Sequence, residues 1–162
     1  MPVRKLFAMF AALAATLAGC GDRPHLQAQL KAGVSTARDV RDAMGPPSME
    51  WKQSDGSTIW EFTRMPAGKK NFMATIGPDE VLRELVQVVT EENFGRVKPG
   101  MGKDELRRLL GKPTETARLP LKPVEVWSWA YDDVFPREMF FDVNLDADGK
   151  VIDTSRRNEH RG

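Results

Sequence analysis

The chain has 162 residues, with 24 Lys and Arg against 23 Asp and Glu and a formal charge of +1. So even a balance supplies no basic face for nucleic acid and no acidic field for a polycation, and one Cys excludes an internal disulfide. The 2 histidines, His25 and His160, stand at opposite ends, which leaves a hydrolytic triad or a His-based zinc site without its residues.

In chain order, Arg4 and Lys5 precede an uncharged apolar run from Leu6 to Leu17, and the run ends in Leu17-Ala18-Gly19-Cys20. The run is shorter than the roughly 20 residues a membrane span needs, so residues 1–19 read as a signal peptide outside the fold. The last four residues resemble the bacterial lipobox. That resemblance implies a covalent lipid on Cys20, with a diacylglycerol and a third acyl chain, and two chains already anchor a protein stably. The resemblance further implies the outer membrane, periplasmic face, because Gly21 rather than an Asp follows the Cys. Loss of Arg4 and Lys5 leaves 22 basic residues, 24 less 2, against 23 acidic ones, a charge of −1. Residues 20–24 form a lipidated tether, and its four residues after Cys20 reach about 13 to 14 Å, which holds the fold near the membrane.

Beyond the tether the chain repeats itself. Asp39-Val40-Arg41 answers Glu105-Leu106-Arg107, and Met44-Gly45-Pro46-Pro47 answers Leu110-Gly111-Lys112-Pro113. Trp60-Glu61-Phe62 answers Trp127-Ser128-Trp129, and Phe72 to Ile76 answers Phe141 to Leu145. The boundaries follow: a first repeat over 25–89, a second over 90–157, and a polar tail over 158–162.

Within each repeat the spacing predicts two short helices, then strands. His25 to Leu30 and the segment opened by Thr90 are the first helices. Ser35 is the expected N-cap of a helix ending at Met44, with Val40 and Met44 on its core face, as Leu106 and Leu110 are in the second copy. Gly45 and Gly111 should end these helices in the left-handed conformation. The first copy's strands are expected at Thr58 to Thr63, Asn71 to Ile76 and Val81 to Thr90. The second copy's are expected at Val124 to Tyr131, Phe140 to Leu145 and Val151 to Ser155. The fold class is therefore α+β: two tandem repeats, each a short helical hairpin packed on a three-stranded antiparallel sheet.

A short helix, Gly-hydrophobe-small, a helix ending Leu-Gly-x-Pro and a Trp-bearing strand resembles the SmpA/OmlA family, the BamE-like outer-membrane lipoproteins. Asn93-Phe94 through Pro113, continuing to Trp127 and Val151, carries the likeness, and the first copy matches more loosely. It implies a small lipoprotein that is an accessory in β-barrel outer-membrane protein assembly or envelope integrity, with a membrane contact through its anchor and the β-barrel assembly machinery as protein partner. No catalytic residue, metal site or cofactor beyond the lipid on Cys20 is expected. Asp146-Ala147-Asp148-Gly149 lacks the Glu that a calcium loop places six residues after its Gly, so it reads as a turn. Arg64, Lys69 and Lys70 read as a solvated loop.

Trp127, Trp129 and Tyr131 alternate on one strand, opposite Val124, Val126 and Ala130, while Trp60 and Phe62 alternate on the first copy's strand. Either these aromatics pack on the helices, or the aliphatic face does and the aromatics form an exposed partner-binding stripe. The function expected is a non-enzymatic protein-interaction module in envelope biogenesis; a tandem-repeat periplasmic binding or inhibitor protein using a concave sheet surface is the alternative.

Overall fold

The computed structural model describes residues 24–134 and 137–160; the expected signal peptide, Cys20 and most of the tether lie outside them. The first repeat contains α1 (Pro24–Gln27), α2 (Ala37–Met44) and a sheet of β1 (Met49–Lys52), β2 (Thr58–Thr63), β3 (Asn71–Ile76) and β4 (Leu82–Gln87). The second contains α3 (Glu91–Arg96), α4 (Lys103–Leu110), β5 (Glu115–Arg118), β6 (Glu125–Val134), β7 (Arg137–Leu145) and β8 (Val151–His160). Each sheet is antiparallel with its strands in chain order, so the fold is α+β with one four-stranded meander per repeat.

Four strands replace the expected three because β1 and β5 add an outer edge to each sheet. Both are short and largely exposed, and so carry no buried alternation. The polar tail is also revised: β8 continues through its first residues and pairs His160 with Arg137.

The helices form for local reasons. Thr36, not Ser35, caps α2: its hydroxyl accepts from Asp39 N–H while the Asp39 carboxylate accepts from Thr36 N–H at 2.7 Å, a reciprocal capping box. Ser35 Oγ instead accepts from Lys31 N–H at 2.9 Å. Ala37, Val40, Ala43 and Met44 then recur at helical spacing and bury one face. Gly45 and Gly111 end α2 and α4 with φ of 82° and 74° but ψ near −170°, outside the left-handed helical basin and in a region open essentially to glycine alone.

The repeats are built alike down to single hydrogen bonds. Gly33 N–H donates to Leu82 O at 2.7 Å and Gly100 N–H to Val151 O at 2.8 Å. Isolated bridges join Thr36 to Val81 and Gly102 to Lys150, and each third strand ends in a register shift, at Thr75/Ile76 and Asn144/Leu145.

Each sheet buries one face on its own helices. In the first repeat Val40 and Met44 meet Trp60, Phe62, Ala74 and Ile76. In the second, Phe94, Leu106 and Leu110 meet Trp129, Phe141 and Val143. The other face of the first sheet turns to α4, so the layers run helices, sheet, helices, sheet.

Candidate functional site

The two repeats are clasped by polar groups that the first sheet presents on its second face. Glu61 on β2 is 0% exposed. Its carboxylate accepts from Arg107 Nε at 2.9 Å and from Lys112 N–H at 2.8 Å. Asn71 on β3, equally enclosed, donates through Nδ2 to Leu110 O and Lys112 O, each at 2.8 Å. The last carbonyls of α4 lack partners within the helix, and Asn71 supplies a donor to one of them. From the other side Trp129 Nε1 donates to Gly111 O at 3.1 Å. A buried charge is tolerated only when paired and hydrogen-bonded, and Glu61 has both. Its position in the sequence, between Trp60 and Phe62 on an alternating strand, was the available signal: an acid midway along a half-apolar strand needs a fixed cation nearby.

Beside this clasp the layers part. An open cleft of about 760 Å³ separates the second face of the first sheet from α3 and α4. Ile59, Met73 and Val86 line the sheet side; Met101, Leu109 and Arg108 line the helix side. Trp51 on β1 sits opposite Ile59, and the Arg108 guanidinium lies 5.6 Å from the centre of its ring. The cleft combines apolar floor, both signs of charge and an aromatic rim, a composition found at recognition surfaces. Among the described residues no group of three or more His, Cys, Asp or Glu is placed to hold a metal ion. Asp146 Oδ1 accepts from the N–H groups of Asp148 and Lys150, so this carboxylate oxygen serves the β7–β8 turn.

The sequence-predicted site residues lie elsewhere. Trp129, Trp60 and Phe62 are buried in the two cores, and Trp127 and Tyr131 are half-buried and packed against the second core. The exposed aromatic stripe is thereby corrected: the aromatics face the helices, and Val126, Ser128 and Ala130 occupy the other face. The register explains the inversion. Trp127 pairs with Val143 and Trp129 with Phe141, while Ser128 pairs with Asp142, so β7 decides which side of β6 is apolar. Among the described residues α3 and α4 stand between the two sheets. Lys69, expected in a solvated loop, lies 2.7 Å from Glu138 and ties the β2–β3 loop to the second sheet.

A further polar cluster occupies the exposed end of the stack. Arg157 lies 4.0 Å over the Phe140 ring and pairs with Asp142 at 2.8 Å, and also with Glu115 and Glu159. Burial works against the Arg157 charge, but these carboxylates hold its pKa above the ordinary value.

No family model matches the chain, and no curated protein matches it. Among solved structures it is similar to a DUF4309 family protein, YjgB, from Bacillus subtilis subsp. subtilis str. 168, at 15% identity over 82% of each chain and a TM-score of 0.30. An overlap of that degree supports no conclusion about fold or function.

Proposed function

We propose that the protein is a lipid-anchored lipoprotein on the periplasmic face of the outer membrane, working without catalysis as a protein-interaction module in envelope biogenesis. The anchor rests on the charge, apolar run and lipobox-like end of residues 1–20. The interaction role rests on one structural observation: the cleft between the repeats is open, wide and mixed in character, and the buried Glu61–Arg107 clasp joins the two repeats beside it. A rigid frame around an open recognition surface costs little ordering on binding, which favours a docking role.

Cleft and anchor can be tested together. A photo-crosslinking residue in place of Val86, which lines the cleft and is 37% exposed, should capture components of the barrel-assembly machinery from intact envelopes. Capture of a soluble periplasmic enzyme as the sole partner would overturn the proposal. Cys20→Ser should abolish lipid labelling and outer-membrane retention; a variant that still fractionates with that membrane removes the anchor.

A further inference from the structure

The first sheet ends in a free edge. Leu82 at the start of β4 is paired outward with the α1–α2 loop, its N–H to Ser35 O and its carbonyl to Gly33 N–H. Beyond it the pairing stops. Val88 N–H donates to Asn71 O, and Val86 and Glu84 stand opposite Met73 and Thr75, so these residues direct their backbone groups to β3. Alternation along an antiparallel strand then turns the N–H and C=O of Leu85 and Gln87 outward. Among the described residues no backbone group bonds them.

The corresponding edge on β8 is defended. Asp153, Arg156, Arg157 and Glu159 stand along it, and charges on an edge strand discourage further pairing. At β4 the residues between the last charge, Glu84, and the strand end are Leu85, Val86 and Gln87. Val86 is 37% exposed.

Both sides of this edge carry a recess. On the helix-covered side Leu82, Leu85 and Phe72 join Gln27, Ala28 and Leu30 around an apolar groove of about 490 Å³. On the other side Glu84, Val86 and Gln87 border the inter-repeat cleft, with Glu92 across it. Side chains of an added strand alternate between the two faces with period two. Glu84 and Glu92 have no hydrogen-bonded or ionic partner among the described residues, whereas Arg96 is bonded to Asn93 at 3.0 Å and Arg108 lies over Trp51. Neither arginine has a carboxylate partner among the described residues, but Glu84, Glu92 and Glu105 outnumber Arg96 and Arg108 along the cleft, so its net charge is negative.

We infer that β4 is a docking edge for an extended peptide segment of a partner protein, added as a fifth strand, with apolar side chains entering the Phe72–Leu82–Leu85 groove and Lys or Arg alternating toward Glu84 and Glu92. Main-chain bonds to Leu85 and Gln87 supply register, and the two recesses supply selectivity. The inference deepens the interaction-module reading and rests on it.

The test uses the whole folded chain and a short synthetic peptide alternating leucine and lysine. Binding should slow hydrogen exchange at the Leu85 and Gln87 amides. N-methylation of alternate peptide residues should weaken it at least about tenfold, since each lost bond to a formed edge removes about 1 kcal/mol or more. The double variant Glu84→Lys/Glu92→Lys should transfer preference to a leucine–glutamate peptide. Absence of binding, binding with those two amides unprotected, or indifference to N-methylation overturns the added strand. If Leu85→Lys, which fills the groove with charge, still captures the partner as well as the native chain does, the interaction module stands and β4 is removed as its docking edge.

Discussion

The two sheets present the same surface in two different fates. On the first, Glu61, Asn71 and Met73 are buried against the next repeat. On the second, the matching register positions hold Ser128, Phe140 and Asp142, and Arg157 lies over Phe140 and pairs with Asp142. Stacked repeats bury faces against neighbours, and the last unit needs a polar face to stop the series. Here the difference is written into three positions of a duplicated strand pair. The face that meets a helix carries a buried acid that accepts from an arginine and a backbone N–H, and an amide that donates to carbonyls at the helix end; the matching second face satisfies its own charges.

The sharpest way to break that comparison is through two matching arginines. Arg107 and Arg41 each sit one helical turn before the glycine that ends their helix. Arg41 pairs with Glu50 at 3.0 Å, both about half exposed, and lies 4.2 Å over Trp60. Arg107 pairs with the fully enclosed Glu61. Arg107→Ala strands a buried carboxylate and should cost about 3 to 5 kcal/mol. Arg41→Ala loses a surface pair and a cation–π contact, together about 1 to 2 kcal/mol. Denaturant unfolding of the two variants measures the difference, and equal losses would show that the interface carries no special share of stability.

The next largest effect separates the matching glycines. A Cβ on Gly45 meets nothing within 4 Å, whereas one on Gly111 falls 2.6 Å from Asn71 Nδ2 and 2.8 Å from its Cβ. Both Ala variants carry the backbone strain of that conformation, about 1 to 3 kcal/mol. Gly111→Ala also displaces the amide that holds two carbonyls of the next repeat, about 1 to 3 kcal/mol more. Thermal unfolding should place Gly111→Ala clearly below Gly45→Ala. Coincident midpoints would mean that the Asn71 contact yields without cost.

Much of this frame was legible in the sequence, and the failures have physical causes. β2 and β3 fall where the alternation places them, because each strand has one strongly apolar face. β1 and β5 were not legible: Glu115 to Arg118 is exposed throughout, and an edge strand held by backbone bonds alone leaves no hydrophobic period to read. The orientation of the aromatics could be read only by pairing strands. Taken singly, β6 is apolar on both faces, while Phe141-Asp142-Val143-Asn144-Leu145 on β7 has one apolar face that fixes both. The cleft arises from how one repeat docks on the next, which no single repeat's periodicity contains.

The smallest expected effect concerns how the two matching helices begin. Thr36 closes α2 with a reciprocal box, whereas Gly102 opens α4 with half of one: Glu105 Oε2 accepts from Gly102 N–H at 2.7 Å, but no hydroxyl returns the bond. Thr36→Ala should cost about 1 kcal/mol, and Gly102→Thr should gain a few tenths, since Gly102 already holds an extended φ of −89°. The first of these must depend on acid. Thr36 N–H and then its hydroxyl hold the Asp39 carboxyl below its ordinary 3.8. A depressed folded pKa stabilises above the unfolded value, and that stability disappears as pH falls through the folded one. The gap between native and Thr36→Ala midpoints should therefore be full at neutral pH and narrow below about 3.8. A gap that stays constant into strong acid would assign the cap's effect to the hydroxyl's bond with Asp39 N–H alone, and would leave the carboxylate as a bystander at the start of α2.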